Sequence, residues 1–413
     1  MCGIAGIFKR DINQTIIENM LHTMRQRGPD EEGVFIQDDI CLMHRRLSVI
    51  DLDKGKQPMQ FSWGGETYTI VYNGELYNTE EIRCELIHLG HQFTGHSDTE
   101  VLLHAYAQWS SNCLPKFNGI FAFAIFEQCA RKLFLARDRM GVKPLFYTIN
   151  DQGIIFASEI KTLFKHPGIS PQLDKNGIAE LLLLGPGRTP GCGVFKNIFD
   201  LKPGRYAVFD HNLHIKRYWR LLDREHTDDF NQTVEYVRFL VKDSIQRQMV
   251  SDVPLGTFLS GGLDSSIISS VCAEKYRGNN IQLPTFSVGY QNNDKYFKPE
   301  KFQPNSDDEY IKIMADYLNT KQHNVTLNAQ CLHDRLIDVV TARDLPGMAD
   351  VDASLLSFCG EIRKHVTVAL SGECADEMFG GYPWYRDPTV RATEGFPWSQ
   401  NAEYRGSFLR EGI

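Results

Sequence analysis

The chain begins Met-Cys-Gly-Ile-Ala-Gly, and the cysteine directly behind the initiator methionine could do chemistry. Methionine is normally removed before a small residue, which would leave Cys2 with a free α-amine. That amine titrates at about 8 in model compounds, so it can take the proton of its own thiol and activate the sulfur as a nucleophile. A buried strand cysteine is the competing interpretation, and position alone favours it because free cysteines are often buried.

A glycine-rich stretch, FLSGGLDSS at 258–266, lies between a predicted strand and a predicted helix. Backbone N–H groups of Ser260, Gly261 and Gly262 can turn onto a phosphate, and the helix starting near Ser265 adds the positive end of its dipole. The stretch lacks the Lys-Ser/Thr ending of a Walker A loop, so γ-phosphate transfer is not the natural interpretation. The alternative, a glycine-rich turn with an accidental serine cluster, fits the strand–loop–helix context poorly.

A second stretch, VALSGECADEMFGGYPWY at 368–385, also follows a predicted strand with a serine–glycine pair. Three carboxylates follow within five positions: Glu373, Asp376 and Glu377. Acidic groups beside a phosphate loop suit a bridging Mg²⁺, so Asp264 and Asp376 are the predicted metal ligands. A solvated acidic helix start is the alternative, and without the first loop the two interpretations would be equal.

Two motifs in the N-terminal half carry charges suited to an amino-acid substrate. Arg46 in HRRLSVID could clamp a carboxylate through two N–H groups. Asp98 in GHSDTE could hold an ammonium group. Either Ser97 or Asp98 can also cap the following helix, and the capping and binding roles are compatible.

The Asn73–Gly74 pair in YNGELYN has two interpretations. Asn-Gly is the standard two-residue hairpin turn, which makes a turn a strong alternative. Functionally, the Asn73 amide and the Gly74 N–H could form an oxyanion hole.

Length and composition limit the class of protein that can carry these residues. A chain of 413 residues predicts two domains or three, and 42% hydrophobic with 23% charged residues is typical of a globular protein. The net charge of −8 argues against nucleic acid or an anionic membrane as the main partner. Ten cysteines without a CxxC pair predict a reducing cytoplasm rather than a zinc site or a disulfide framework.

The element pattern changes near residue 230. Many predicted strands with few helices over 2–210 indicate a layered α+β domain, followed by a hairpin and polar linker at 211–230. An amphipathic helix over 233–249 opens the rest, 231–413. Strands at 253–259, 284–289 and 366–370 then alternate with helices at 265–276 and 308–318. This alternation predicts a doubly wound parallel sheet, with a polar loop at 290–309 beside the phosphate loop.

Together these motifs resemble two known families. CGIAG, RGPD, RLSVID, NGELYN, SDTE and ARDRMGVKPLFY resemble the class II glutamine amidotransferase domain. VSDVPLGTFLSGGLDSS, TFSVGY and LSGECADEMFGGYPWY resemble the asparagine synthetase domain, which carries an ATP pyrophosphatase PP-loop. The combination is similar to bacterial B-type glutamine-hydrolysing asparagine synthetases, which are cytoplasmic ligases. It implies an α+β N-terminal nucleophile (Ntn) hydrolase sandwich followed by an α/β doubly wound ATP pyrophosphatase domain.

The resemblance also implies residue roles. Cys2 would attack glutamine, Asn73 and Gly74 would hold the oxyanion, and Glu373 would act in forming β-aspartyl-AMP and on the attacking ammonia. The implied glutamine-binding residues are Arg46, Leu47, Ser48, Val49, Ile50, Asn73, Gly74, Glu75 and Asp98. The implied ATP-binding residues are Leu259, Ser260, Gly261, Gly262, Asp264, Ser265, Ser266, Val288, Ser371 and Gly372. ATP, Mg²⁺, L-glutamine and L-aspartate are the implied ligands and a homodimer the implied assembly; no nucleic acid or membrane partner is expected.

Two departures from the family pattern limit these expectations. Cys374 stands where the family usually has glycine, which is costly if the position needs φ > 0. The sequence ends at Ile413, whereas family members continue, and a lysine of the synthetase site lies in that continuation. Two alternatives therefore stay open: an amidotransferase acting on another carboxylate, and a truncated chain with glutaminase activity only.

Overall fold

The computed structural model describes residues 1–299, 305–395, 397, 400 and 402–407. It forms two compact units. The first comprises Met1–Leu181 and Gly187–Glu225, and the second comprises Leu182–Pro186 and the chain from His226 onward. The first unit thus continues beyond residue 210, the end predicted for the first domain, since a strand within the predicted linker pairs with its sheet.

The first unit is rich in strands. In chain order they are β1 (Gly3–Phe8), β2 (Glu31–Gln37), β3 (Ile40–Arg46), β4 (Met59–Trp63), β5 (Glu66–Leu76), β6 (Gly119–Glu127), β7 (Lys132–Arg137), β8 (Phe146–Asn150), β9 (Gly153–Ala157), β10 (Phe199–Asp200), β11 (Arg205–Phe209) and β12 (Leu213–Arg217). The α-helices are α1 (Gln14–Thr23), α2 (Thr79–His88), α3 (Asp98–Trp109), α4 (Ile160–Leu163) and α5 (Lys175–Ala179).

These strands form two antiparallel sheets, ordered β10-β8-β9-β1-β3-β2 and β12-β11-β7-β6-β5-β4. Side chains from both sheets share one core, in which Phe8 of β1 meets Phe126 of β6 edge-on at 5.3 Å. Helix α3 packs on the other face of the second sheet, and α1 packs on β3 of the first. Every residue of β1 is buried because both of its faces are covered, which is why the segment is almost wholly apolar.

The Asn73–Gly74 pair lies inside β5, opposite Ala122 and Phe121 of β6. The hairpin-turn interpretation of this pair is therefore wrong. Gly74 is needed for close strand packing, since a Cβ there would lie 2.4 Å from the carbonyl oxygen of Ile120. The local sequence signal for a turn is overridden by pairing with a strand distant in the chain.

The second unit alternates strands and helices. Its elements are α6 (Phe230–Arg247), β13 (Leu255–Phe258), α7 (Leu263–Gly278), β14 (Pro284–Tyr290), α8 (Asn293–Tyr296), α9 (Asp308–Leu318), β15 (Lys321–Leu327), α10 (Ala329–Arg343), α11 (Asp350–Ile362), β16 (Val368–Leu370), α12 (Ala375–Phe379), α13 (Pro388–Ala392) and α14 (Ala402–Gly406). The predicted polar loop at 290–309 contains α8, and its residues 300–304 lie outside the described residues.

Among the described residues of this unit, four strands form a parallel sheet in the order β15-β14-β13-β16. One core cluster joins the sheet to α6, α7 and α9 through residues such as Ile245, Cys272 and Leu318. A second joins Phe286 of the sheet to Phe358 of α11. Helices thus cover both faces, and the predicted doubly wound sheet is confirmed.

Helix α6 begins at Phe230, earlier than the predicted residue 233. A capping box explains the difference: the Asp229 side chain accepts from the Gln232 N–H, and the Gln232 side chain accepts from the Asp229 N–H. In the part of the chain that the structure describes, no helix has both the length and the apolar character needed to cross a membrane.

Candidate functional site

Cys2 lies immediately before β1, and strand pairing decides what surrounds it. Gly3 pairs with Arg45 of β3, which brings the segment after β3 alongside. The Cys2 thiol donates to the carbonyl oxygen of Leu47 across 3.7 Å. The Arg27 Nε–H donates to the Cys2 carbonyl at 2.9 Å. Cys2 is thereby held through its thiol by the RLSVID motif and through its backbone carbonyl by the RGPD motif.

Burial shifts the pKa values of the two ionisable groups at the start of the chain, the Met1 amine and the Cys2 thiol. The pKa of the Met1 α-amine falls to about 5, mainly because of burial, with the positive charges of Lys143 and Arg27 adding to the effect. Burial also raises the pKa of the Cys2 thiol, against the lowering influence of the nearby amine. Near neutral pH the Met1 amine is therefore unprotonated and the Cys2 thiol still carries its proton. The amine that would take this proton is a different group, the one that Cys2 exposes once Met1 is removed. Met1 as a whole residue is 57% exposed, although its amine is buried.

The Asn73 side chain is 1% exposed, and neither its amide nitrogen nor its oxygen has a hydrogen-bond partner among the described residues. A buried polar group left unpaired costs about 1–3 kcal/mol. Such a cost is typical of a site that awaits a ligand. The unpaired N–H groups are donors of the kind an oxyanion needs.

Glu75 and Lys143 are opposite charges near Cys2 that influence each other's pKa; Lys143 is buried and Glu75 is partly buried. Burial raises the pKa of Glu75 to about 7; Lys143 opposes this rise and Asp98 adds to it. Lys143 is 5% exposed, and burial lowers the pKa of its ammonium group against the attraction of Glu75. No role was predicted for Lys143 or for Arg27, although both lie inside the motifs ARDRMGVKPLFY and RGPD.

Asp98 is buried at the first turn of α3. Its Oδ2 accepts from the Tyr72 hydroxyl at 2.9 Å and from the Leu76 N–H at 3.1 Å. Burial raises the pKa of Asp98, and these hydrogen bonds oppose the rise. The helix cap itself is Ser97, whose Oγ accepts from the Glu100 N–H at 3.2 Å. Asp98 is therefore not needed for capping and can serve a ligand.

Arg46 is 4% exposed, and its terminal nitrogens already donate four hydrogen bonds within the protein. The acceptors are Glu31 Oε2 at 2.8 Å and the carbonyl oxygens of Leu52 at 3.1 Å, Ile50 at 3.1 Å and Asp51 at 2.6 Å. The predicted bidentate clamp on a substrate carboxylate would require one of these bonds to be exchanged. In this structure the guanidinium instead shapes the loop of Leu47, Ser48, Val49 and Ile50.

The phosphate loop of the second unit lies between β13 and α7, with Gly262 as the helix cap. Ser260 Oγ and Ser265 Oγ lie 3.0 Å apart, and the Ser260 N–H donates to Ser265 Oγ at 3.2 Å. Gly261 has φ +77°, and a Cβ there would lie 2.6 Å from Tyr310 Cβ. The serines thus brace the loop, and glycine is required where it bends against α9.

The second loop, after β16, packs directly on the first. A Cβ on Gly372 would lie 3.0 Å from Asp264 Cβ. Burial and the Asp264 charge raise the pKa of Asp376. Cys374 has φ +72°, so the condition under which a cysteine at this position is costly is met. Among the residues described, no three His, Cys, Asp or Glu side chains converge as a metal site, so a metal here would need ligand oxygens from a nucleotide.

The two loops open into a cavity of about 940 Å³. Of the predicted ATP-binding residues, Gly261 and Ser266 do not line it; those that do are Leu259, Ser260, Gly262, Asp264, Ser265, Val288, Ser371 and Gly372. Glu373 and Asp376 also line it. Ser266 Oγ is buried and has no partner among the described residues.

One wall of the cavity was missed by sequence reasoning. It is formed by α11 and the residue before its cap: Met348, Asp350, Val351, Asp352, Ser354, Leu355 and Phe358. The Tyr290 hydroxyl and Ser354 Oγ, 2.6 Å apart, tie this wall to the end of β14. The only sequence signal for the wall is the pair of acidic residues in the first turn of α11.

Two family models match the chain. One, described as a glutamine amidotransferase domain, matches residues 1–219, and the other, described as asparagine synthase, matches residues 236–412. The fold and the sites thus define a glutamine amidotransferase with an Ntn hydrolase sandwich, joined to an α/β synthetase domain. The predicted fold class is confirmed.

Sequence relatives narrow the class further. The chain is 47% identical to asparagine synthetase (glutamine-hydrolysing) 3 of Bacillus subtilis, over 100% of this chain and 68% of the relative. It is 37% identical to asparagine synthetase 1 of the same organism, over 94% of this chain and 60% of the relative. The chain belongs to the glutamine-hydrolysing asparagine synthetase family, as its motifs predicted, and it spans about two thirds of the length of these relatives.

A solved structure of the B. subtilis glutamine phosphoribosylpyrophosphate amidotransferase has a TM-score of 0.41 to this chain. It is 18% identical over 73% of this chain and 69% of that one.

Proposed function

We propose that the chain converts L-aspartate to L-asparagine with ATP, using ammonia released from L-glutamine at Cys2. The relatives that share its two domain families are named for this reaction. The observation that carries the proposal is the buried, unpaired Asn73 amide in the same unit as the N-terminal thiol. Among the described residues no group forms a hydrogen bond with the buried side chain of Asn73, so the cost of burying it is not offset within the protein. An oxyanion would accept hydrogen bonds from its amide N–H groups.

The glutaminase half follows from the groups around Cys2. After Met1 is removed, the Cys2 thiol gives its proton to the α-amine, and Sγ attacks the side-chain carbonyl carbon of glutamine. The Asn73 amide and the Gly74 N–H hold the resulting oxyanion. The proton returns to the leaving nitrogen, ammonia departs, and water hydrolyses the thioester to glutamate. Glu75 and Asp98 hold the substrate ammonium group, and Arg46 with Leu47 to Ile50 forms the wall of the site.

The synthetase half uses the cavity of the second unit. An oxygen of the aspartate side chain attacks the α-phosphorus of ATP, and pyrophosphate leaves toward the Ser260–Ser266 loop, whose N–H groups and hydroxyls hold it. Ammonia then attacks the carbonyl carbon of β-aspartyl-AMP and AMP leaves, with Glu373 placed at the cavity for both steps. Val288 and Leu259 would contact the nucleoside.

Asp264 and Asp376 fit a role in holding Mg²⁺ on the nucleotide phosphates. Burial and, after it, the charge of Asp264 raise the pKa of Asp376, and a cation held by these carboxylates would offset that repulsion. A bound Mg²⁺ would neutralise charge on the departing pyrophosphate.

Glutamate production and aspartate-dependent pyrophosphate release, measured together on the 413-residue chain, test the proposal. Cys2→Ala should abolish glutamate production. Cys192→Ala, which removes another half-exposed thiol of the same unit, should leave it unchanged.

Each result of this assay separates the hypotheses. Both products together support the coupled reaction. Glutamate without pyrophosphate supports a glutaminase alone, and AMP release stimulated by another acid far better than by aspartate supports a different acceptor. No glutamate from the wild-type chain overturns the nucleophile assignment.

A further inference from the structure

Asp51, directly after the RLSVI segment, is a buried carboxylate for which no role has been assigned above. It is 3% exposed, and its Oδ2 accepts from the backbone N–H of His96 at 2.7 Å and of Ser97 at 3.1 Å. Its Oδ1 accepts from the Lys54 N–H at 3.0 Å. One side chain therefore bonds two loops that are separated by over forty residues in the chain.

The backbone of Asp51 also forms a hydrogen bond with Arg46, a residue of the predicted glutamine site. Its carbonyl oxygen accepts from Arg46 at 2.6 Å and from the Gly55 N–H at 2.9 Å. The residue has φ +50°, a left-handed conformation that aspartate tolerates better than most residues. The turn directs the carbonyl to Arg46 while the carboxylate reaches the loop before α3.

The second loop, His91 to Ser97, ends at the cap of α3 and so fixes Asp98. Glu100 holds it as well, accepting from the Thr94 N–H at 2.8 Å and the Gly95 N–H at 3.0 Å. The loop approaches Asp51 so closely that a Cβ on Gly95 would lie 2.3 Å from Asp51 Oδ2. Glycine at position 95 is thus a condition of the contact.

The charges facing Asp51 are complementary. Burial by itself would raise its pKa, but the N–H groups of His96, Lys54 and Ser97 outweigh burial and hold the pKa below its usual range. The His96 ring lies 3.6 Å from Oδ2 and is 62% exposed. The group is therefore an anion at neutral pH, which strengthens its hydrogen bonds to the loop.

We propose that Asp51 is a positioning residue of the glutamine site, which couples the Arg46–Ile50 wall to Asp98 by bonding both loops. This inference rests on the proposed glutaminase function. Asp51 itself does not touch the substrate. Its loss would let the two loops separate, so that the groups that hold glutamine no longer meet with the spacing that the substrate needs.

The test compares KM and kcat for glutamine in Asp51→Asn, Gly95→Ala and the double variant. Asp51→Asn keeps the left-handed turn but replaces an anion by an amide, and Gly95→Ala pushes a methyl group into Oδ2. Each should raise KM about tenfold, as expected for the loss of hydrogen bonds to a charged group, with kcat within about threefold of wild type. Because both changes break one contact, the double variant should raise KM by less than the product of the single effects.

Asp38→Asn is the matched control, since Asp38 also has a left-handed backbone at φ +52° but is exposed and pairs with Arg131. It should leave KM unchanged. A purely structural role for Asp51 would lower the active fraction, hence the apparent kcat, and leave KM as it is.

The outcomes separate the two hypotheses. If the wild-type chain hydrolyses glutamine but KM is unchanged in both single variants, the role of Asp51 is overturned and the proposed function stands. The same holds if the effects of the single variants on KM multiply in the double variant. A wild-type chain that produces no glutamate overturns the proposed function and, with it, this inference.

Discussion

The two candidate sites differ in how completely the protein buries them. In the first unit the groups around Cys2 are enclosed: Arg46, Asn73, Asp98 and Lys143 are each less than 8% exposed. In the second unit Ser260, Gly262 and Glu373 are exposed at the mouth of an open cavity. In the first site burial accordingly raises the pKa of Glu75 to about 7 and lifts the pKa of the Cys2 thiol above its usual range.

This difference follows from the chemistry that each site can do. Proton transfer between a thiol and an amine requires tuned pKa values, and burial is the means of tuning them. Phosphate binding relies on backbone N–H groups and a helix N-terminus, whose donors need no burial to act. The groups of the first site are therefore already enclosed in this structure, whereas the second site is an open cavity lined by donors and carboxylates.

The largest expected effect tests the enclosed site. Asn73→Ala should lower kcat for glutamine hydrolysis about 10²- to 10³-fold, because it removes an oxyanion donor. The melting temperature should stay close to that of wild type, since the amide makes no hydrogen bond within the described protein. Steady-state glutaminase kinetics and calorimetry on the same samples measure both quantities.

Asn176→Ala, on the exposed face of α5, is the control and should change neither quantity. A fall in melting temperature as severe as the loss of activity would show that Asn73 is structural. In that case the contrast between the two sites would lose its main support.

A smaller effect should follow from the pKa of Glu75. Because burial raises this pKa to about 7, the carboxyl becomes neutral as the pH falls below 7 and no longer attracts the substrate ammonium. KM for glutamine should therefore rise on acidification, toward about tenfold per pH unit. Glu75→Gln should have a high KM at pH 8 that stays constant down to pH 6. A wild-type KM that does not vary over this range would argue against Glu75 as an ammonium ligand.

The smallest expected effect concerns the open site. Cys374 holds a left-handed backbone at φ +72°, which costs a residue with a Cβ about 1–2 kcal/mol. Cys374→Gly should therefore stabilise the protein by about 1 kcal/mol, seen as a higher midpoint of urea unfolding, with glutaminase activity unchanged. Cys374→Ser keeps the Cβ and should gain nothing. Equal midpoints for the glycine variant and wild type would mean that the loop does not need this backbone in the native state.

Local sequence was enough to predict several features of both units. The strand–loop–helix at Ser260 to Ser266 was predicted because glycine, serine and apolar periodicity act within one short segment. The parallel sheet followed from alternating elements. The sequence raised a positive φ at Cys374 only as a possibility, because glycine is usual there, and the structure decided it. Helix ends were predicted less well, since side chains such as Asp229 and Gln232 decide them.

The sequence by itself determined the order of the two domains and their fold classes, and it predicted the nucleophile of the first and the phosphate loop of the second, since short motifs carry this information. Only the tertiary structure decided that Asn73 lies in a strand, that Arg46 already donates four hydrogen bonds and that Asp51 joins two distant loops. Those facts depend on β3 pairing with β1 and β5 pairing with β6. Such contacts join segments far apart in the chain, and no local propensity specifies which strands become neighbours.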